Sequence, residues 1–404
     1  MFTISEYKER AVRAQKLMVE YGLDALMVTG DYSSADNYRY LSGHLPRDFQ
    51  QNYARPHIMI LTADGSAGLV TFESTYEAAK KASWVDNIRN YTQPFKIEPV
   101  HELVEELNLQ SAKIGCELGI EQNLQMPFAQ FMKLQNAFPN AEFADASDLI
   151  WELRTIKSEQ EVNAIREAAR INNKAQATVL GNLKEGMSEV EITSNIVREI
   201  IREGANRPPF AQYTSITTEK FRSGGGYSDR LAGPSNNPLE KGDLLFIDTG
   251  CIYDEYWAEF CRMAIIGEPT QEQLDTHRIT REICQRTVTE FIKPGVTSDE
   301  VMRYAIKLYK EYGVDESKFQ PYLEYPYKHL GHSIGLTSSE PPLIQLHNDT
   351  VIKEGMCLAI EPVIFLNGFT YSSEENIVVT ENGAEFLSDV DTGLYVGETK
   401  SVLR

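Results

Sequence analysis

Acids stand at the ends of apolar runs in the second half of this chain, and any fold it adopts must neutralise them. Asp248 ends the run Leu244-Leu245-Phe246-Ile247, Glu361 closes Cys357-Leu358-Ala359-Ile360, and Glu375 opens Glu375-Asn376-Ile377-Val378-Val379. Glu259 lies on the return segment Tyr256-Trp257-Ala258-Glu259-Phe260, and His332 is set in Gly331-His332-Ser333-Ile334-Gly335. An unpaired buried charge forfeits its hydration and is costly unless something neutralises it. Taken singly, each acid reads as a strand-end residue facing water. Taken as a set, four carboxylates and one imidazole suit a pair of hard or borderline cations that share bridging oxygens.

A chain of 404 residues exceeds one ordinary core, so two domains are expected, and 42% hydrophobic residues supports well-filled interiors. A formal charge of -20 argues against nucleic acid and against anionic membrane surfaces, which need a basic footprint. No apolar run approaches the ~20 residues of a membrane span. Thr3-Ile4-Ser5-Glu6 reads as a helix-opening capping box rather than as a secretion signal. Cys116, Cys251, Cys261, Cys284 and Cys357 are scattered among apolar residues and read as reduced core thiols of a cytoplasmic protein.

The first domain, residues 1–150, reads as α/β. After the opening helix, strands are expected at Leu23–Thr29, His57–Leu61 and Gly68–Thr71, with another unit beginning at Ala112–Cys116 and a strand near Phe143. The second domain, residues 151–404, opens with a long helix from Ile156-Lys157-Ser158-Glu159-Gln160-Glu161. It contains an echo. Lys184-Glu185-Gly186-Met187-Ser188-Glu189 and Lys293-Pro294-Gly295-Val296-Thr297-Ser298 each give a Gly turn, a Ser/Thr cap, acids and an amphipathic helix. Asp248 and Glu259 lie on runs joined at Tyr253-Asp254-Glu255, so a hairpin there brings both to one side of a sheet.

The series Asp248-Thr249-Gly250, Glu259, Gly331-His332-Ser333-Ile334-Gly335-Leu336, Glu361-Pro362 and Glu375-Asn376 resembles the ligand series of the pita-bread metallopeptidase family. That family includes methionine aminopeptidase, Xaa-Pro dipeptidase and creatinase. The resemblance implies an α/β (α+β) fold: a creatinase-like N-terminal domain and a pita-bread domain with pseudo-two-fold duplicated halves, to which the echo answers. It implies two divalent metal ions, Mn, Fe, Co or Zn, held by Asp248, Glu259, His332, Glu361 and Glu375. The family has Asp at the place of Glu259. Glu374 and Glu375 are adjacent, register decides which faces inward, and the resemblance picks Glu375.

The same resemblance implies hydrolysis of a C–N bond in a small carboxylate-bearing substrate by metal-bound hydroxide, with His332 and Glu361 as catalytic residues and Glu361 as proton shuttle. Two departures stand out. Leu231 and Ser339 occupy places where the peptidases carry histidines, which removes proton donors that amide cleavage uses. Retained metal ligands with altered histidines are also similar to the family's dimethylsulfoniopropionate lyase, so a metal-dependent lyase is one alternative and a non-catalytic binding protein on the same fold another. Tyr53-Ala54-Arg55-Pro56 resembles the creatinase segment whose arginine grips the substrate carboxylate in the partner subunit's site, which implies a homodimer and a role for Arg55 and Tyr53. Tyr227 and Arg230, with Arg222, are further pocket candidates around Ser223-Gly224-Gly225-Gly226. His44 and His329 read as surface or packing residues.

Overall fold

Thr3 caps the first helix: its side chain accepts the Glu6 N–H at 3.2 Å, the Glu6 carboxylate accepts from Arg10 Nε at 2.9 Å, and α1 runs over Ile4–Glu20. In this computed structural model the described residues are 2–46, 54–206, the backbone of 213–218, 234, 236–319, 329–388 and 393–399. The chain divides into two units, Met1–Arg154 and Thr155–Arg404.

In the first unit α1 buries Tyr7, Ala11, Ala14 and Met18, the three- and four-residue spacing of one helix face. The helices α2 (Asp36–Ser42), α3 (Tyr76–Ala82), α4 (Glu98–Glu106), α5 (Phe128–Ala137) and α6 (Ser147–Thr155) follow. They accompany a six-stranded sheet made of β1 (Ala25–Gly30), β2 (His57–Thr62), β3 (Ala67–Phe72), β4 (Ile88–Tyr91), β5 (Lys113–Cys116) and β6 (Glu142–Asp145). The order is β4-β3-β2-β1-β5-β6, antiparallel at β1–β2 and β2–β3 and parallel elsewhere. β1 and β2 lie at the centre, buried along their whole length, which is why they carry the apolar runs Ala25–Val28 and Ile58–Leu61. All five cysteines of the chain are buried free thiols.

The second unit begins with α7 (Glu159–Leu180), opened by a reciprocal box between Ser158 and Glu161, and continues through α8 (Glu189–Arg202). One sheet takes the order β17-β9-β8-β7, from β7 (Tyr213–Thr218), β8 (Leu244–Tyr253), β9 (Tyr256–Ile266) and β17 (Tyr395–Gly397). After α9 (Gln271–Arg286) and α10 (Ser298–Glu311) comes a second sheet, β11-β10-β12-β15-β16. Its strands are β10 (Gly331–Ser333), β11 (Glu340–Ile344), β12 (Cys357–Ile360), β15 (Glu375–Thr380) and β16 (Gly383–Phe386). A separate ribbon, β13 (Val363–Leu366) with β14 (Phe369–Ser372), interrupts the path from β12 to β15.

The echo in the sequence is a repeat in space. The Gly186 N–H donates to the Leu239 carbonyl at 2.8 Å, and the Leu239 N–H returns to Met187 at 2.7 Å. The Gly295 N–H donates to Ile352 at 2.9 Å, and the Ile352 N–H returns to Val296 at 2.8 Å. Gly186 and Gly295 have φ of 92° and 96°, a backbone that favours glycine. Each clasp joins the start of a helix to the segment that feeds a ligand-bearing strand: α8 to β8, and α10 to β12. Asp248 and Glu361 each follow the first four residues of those strands, so the two acids are counterparts in the repeat.

Candidate metal centre

Alternation along the β8–β9 hairpin puts Asp248 on the face of Leu244 and Phe246, and Glu259 on the face of Cys261, Met263 and Ile265. All five of those apolar residues belong to one buried cluster, so both acids point to the same side of the sheet. The turn closes through Asp254 and Glu255, both with positive φ, 46° and 75°. In the other sheet β12 pairs with β15 so that Ile360 faces Glu375. Beyond that last pair, Glu361 and Glu374 are near enough for the charge of the first to raise the pKa of the second.

That register corrects the expectation for Glu375. Glu375 shares its face with Ile377 and Val379, opposite to the face of Glu374, and its Oε1 meets the buried Arg262 Nη2 at 3.0 Å. Glu374 takes the inward place. Glu259, His332 and Glu374 are buried, and each offers a ligand atom within 4.8 Å of the others. Glu361 joins them, with Oε1 3.6 Å from His332 Nε2, while Glu259 Oε1 is 3.3 Å from the same nitrogen.

His332 is aimed by its strand. Gly331 precedes it because a Cβ there would run into the Ala359 carbonyl of β12. Ser333, which follows, donates its hydroxyl to the Cys357 carbonyl at 3.1 Å and accepts from Lys157 Nζ at 3.1 Å. Lys157 is in turn paired with Glu340 at 3.4 Å, both side chains 1% exposed. The His332 Nδ1 lies 3.1 Å from the Ser333 carbonyl, an acceptor, so Nδ1 carries the proton and Nε2 presents its lone pair to the acids. Burial holds this imidazole neutral, with its pKa lowered to about 4 against smaller opposing contributions from the Ser333 bond and Glu340.

The acids are crowded. Burial first, then the charges of Asp248 and Glu361, hold Glu259 well above the ordinary carboxylate range. Glu374 is raised likewise by burial and by Glu259, Glu361 and Asp248, with Arg262 pulling the other way. The buried Glu259 Oε1 accepts no hydrogen bond among the described residues. A donorless carboxylate oxygen, a neutral imidazole with its lone pair exposed to it, and further acids at bonding range fit divalent cations, which would displace the protons the acids otherwise hold.

His329, read from sequence as a packing residue, belongs to this place. Its Nδ1 is 3.6 Å from Glu361 Oε1, and its ring stands edge-on to that of His332 at 5.7 Å. Burial lowers its pKa to about 4, helped by His332. Its position three residues before His332 was the available signal. Ser339 is exposed at a bend before Glu340. In the first unit, Arg55 lies over the Phe72 ring at 4.2 Å and its Nη2 reaches Gln93 Oε1 at 3.4 Å. His44, the other histidine set aside, is fully buried with Tyr38 and His57. Tyr53, Arg222, Tyr227, Arg230 and Leu231 lie outside the described residues.

A unit whose two halves repeat, with acids converging on His332, preceded by an α/β unit, defines a pita-bread hydrolase. The chain belongs to metallopeptidase family M24, whose model matches residues 163–381, and residues 10–156 match the Creatinase/Prolidase N-terminal domain. It is 29% identical over 390 residues to the Xaa-Pro dipeptidase of Pyrococcus furiosus, covering 96% of this chain and 99% of that protein. It is 26% identical over 374 residues to the Xaa-Pro dipeptidase of Lactobacillus delbrueckii, covering 92% and 94%. Among solved structures, the prolidase from Pyrococcus horikoshii superimposes with a TM-score of 0.77 at 26% identity, covering 96% of this chain and 99% of that one. The X-Pro aminopeptidase from Thermotoga maritima does so with a TM-score of 0.76 at the same identity and coverage. No helix among the described residues is long and apolar enough to cross a membrane.

Proposed function

We propose that this chain hydrolyses a C–N bond in a small, carboxylate-bearing substrate, dipeptide-like in form, at a divalent metal centre built by Asp248, Glu259, His332, Glu361 and Glu374. The observation that carries the reading is the convergence of Glu259, His332 and Glu374 within 4.8 Å, in a buried setting. Divalent ions bound there would supply Lewis-acid polarisation of the scissile group and lower the pKa of water. The protein's own residues do the rest. His332 stays neutral because burial disfavours the second proton, and the Ser333 carbonyl, by accepting from Nδ1–H, leaves Nε2 as the ring nitrogen with the free lone pair. Glu361 is more open to solvent than Glu259, with its side chain 16% exposed against 12%, so its Oε1 can take a proton from water and pass it to a departing nitrogen. His329, beside the same Oε1, limits the directions in which that carboxylate turns.

Xaa-Pro dipeptides are the natural first substrates, since the relatives above carry that name. With Leu231 and Ser339 in place of two histidines, their turnover is expected to be slow, by ~10²-fold or more relative to an enzyme that has both groups. Elemental analysis of the purified protein, followed by product identification with Xaa-Pro dipeptides, N-acyl amino acids and small zwitterions, tests the proposal. Bound divalent metal with release of an amine and a carboxylate supports it. An alkene product would point to elimination instead, and protein that takes up no metal would end the reading.

A further inference from the structure

Glu374 and Glu375 are consecutive acids on one extended segment, and a slip of one residue would exchange their faces. The β12–β15 ladder sets the register over four pairs, but Ile360 opposite Glu375 is its last before Pro362 and the ribbon, so Glu374 itself lies beyond the ladder and something more must hold it. The residue in contact with both is Arg262. Its Nη1 donates to the Glu374 carbonyl at 2.7 Å and to the Cys261 carbonyl at 2.9 Å. Its Nη2 donates to Asn173 Oδ1 of α7 at 2.9 Å and meets Glu375 Oε1 at 3.0 Å. The side chain is 2% exposed, so these contacts are made without competition from water.

β9, which carries Glu259, and β15, which follows Glu374, lie in different sheets and share no ladder. Two side chains tie them instead: Arg262 to residues 374 and 375, and Asn376, whose Oδ1 accepts the Glu259 N–H at 3.0 Å. We propose that Arg262 is a positioning residue that locks the register at the join of the two sheets, holding Glu375 away and so presenting Glu374 beside Glu259. A planar guanidinium suits the task because its fixed fork engages a carbonyl and a carboxylate at once, which a lysine ammonium cannot do in the same geometry. The inference rests on the metal centre proposed above.

The test is titration of metal-free protein with Mn²⁺ by calorimetry, together with the visible spectrum of the Co²⁺-loaded form. Glu374→Gln should abolish uptake of at least one ion. Glu375→Gln should keep the wild-type stoichiometry with affinity weakened by no more than ~10-fold, the lower figure for an outer-shell partner. Arg262→Met should weaken binding by ~10–100-fold and change the Co²⁺ spectrum, with Arg262→Lys recovering part of the loss. The double variant Arg262→Met/Glu375→Gln should bind better than Arg262→Met alone, since it leaves no unpaired buried charge. Wild-type affinity and spectrum in Arg262→Met overturn the lock while leaving the metal centre standing. If Arg262→Met does not fold, the two glutamates decide: loss of the ion in Glu375→Gln as complete as in Glu374→Gln overturns the proposal. Wild-type protein that binds no ion removes the centre and the lock together.

Discussion

The two halves of the second unit follow one plan and part company between their acids. In the first half Asp248 and Glu259 sit on a continuous hairpin, paired residue by residue from Leu244–Ile265 to Tyr253–Tyr256. In the second half the strand stops at Ile360, Pro362 removes a backbone donor, the β13–β14 ribbon intervenes, and only then does β15 return. The first half can therefore aim its acids by alternation alone. The second cannot, and it borrows Arg262 from the first half to hold Glu374 in place. The second half also supplies the imidazole, on a short strand that pairs with β12 as β7 pairs with β8.

The sharpest way to break the comparison is to remove what only the second half provides. His332→Ala should lower metal affinity by more than ~10²-fold, beyond the usual effect of an outer-shell partner, while circular dichroism stays unchanged. Full metal equivalents in that variant would show that the halves contribute alike. Next in size is the contrast between the counterpart acids. At saturating metal, Glu361→Gln should reduce kcat by ~10²–10⁴-fold because a proton carrier is lost. Asp248→Asn should mainly weaken metal retention and recover activity as metal is added. Equal kcat losses in both at saturating metal would mean that position in the repeat, not the neighbouring His329, sets the role.

The first unit offers a further contrast, since among the described residues it buries ionisable rings without an acid cluster beside them. Burial lowers the His57 pKa from its ordinary 6.5 to about 3, helped by His44 and Arg55, and lowers His44 to about 4. The unfolded chain therefore binds protons that the folded chain refuses. Stability from these neutral rings is complete above about pH 6.5 and declines as pH falls towards 4 and 3, by up to ~1.4 kcal/mol per pH unit for each ring. His57→Leu should flatten that acid limb in chemical denaturation. An unchanged slope would refute the assignment. The smallest effect separates the two helix starts. Thr297 and Glu300 form a reciprocal box, whereas at Ser188 only the Glu191 N–H bond is made. Thr297→Ala should cost ~1 kcal/mol and Ser188→Ala ~0.5 kcal/mol, measured by urea denaturation. The reverse order would argue that the helix starts are not held as the bonds suggest.

How much of this was legible depends on where the rules are local. Alternation read Asp248 and Glu259 onto one face because the hairpin has no interruption. The clasped helix starts were legible as Gly186 and Gly295 followed by a cap. The choice between Glu374 and Glu375 was not, because it is settled by a guanidinium more than a hundred positions away in the chain and by a ribbon that resets the strand. His329 was passed over because a lone histidine is more often a packing residue, and only the return of Glu361 beside it gives it a chemical neighbour. Arg55 lies over Phe72 and against Gln93, and a carboxylate grip there is a proposal that Arg55→Ala tests: it should raise KM without changing metal content.

The paired clasps, Gly186 with Leu239 and Gly295 with Ile352, also speak to ancestry. Each closes a helix onto the strand that delivers one acid, so each half carries its own means of placing a carboxylate. A chain the length of one such half of the second unit, associated with a second copy of itself, would set two identical acids across a symmetry axis, with a cation on the axis satisfying both. Fusion of the two copies would free one to acquire an imidazole and a ribbon while the other kept its hairpin. The unlike acids Asp248 and Glu361 would then be descendants of a single residue.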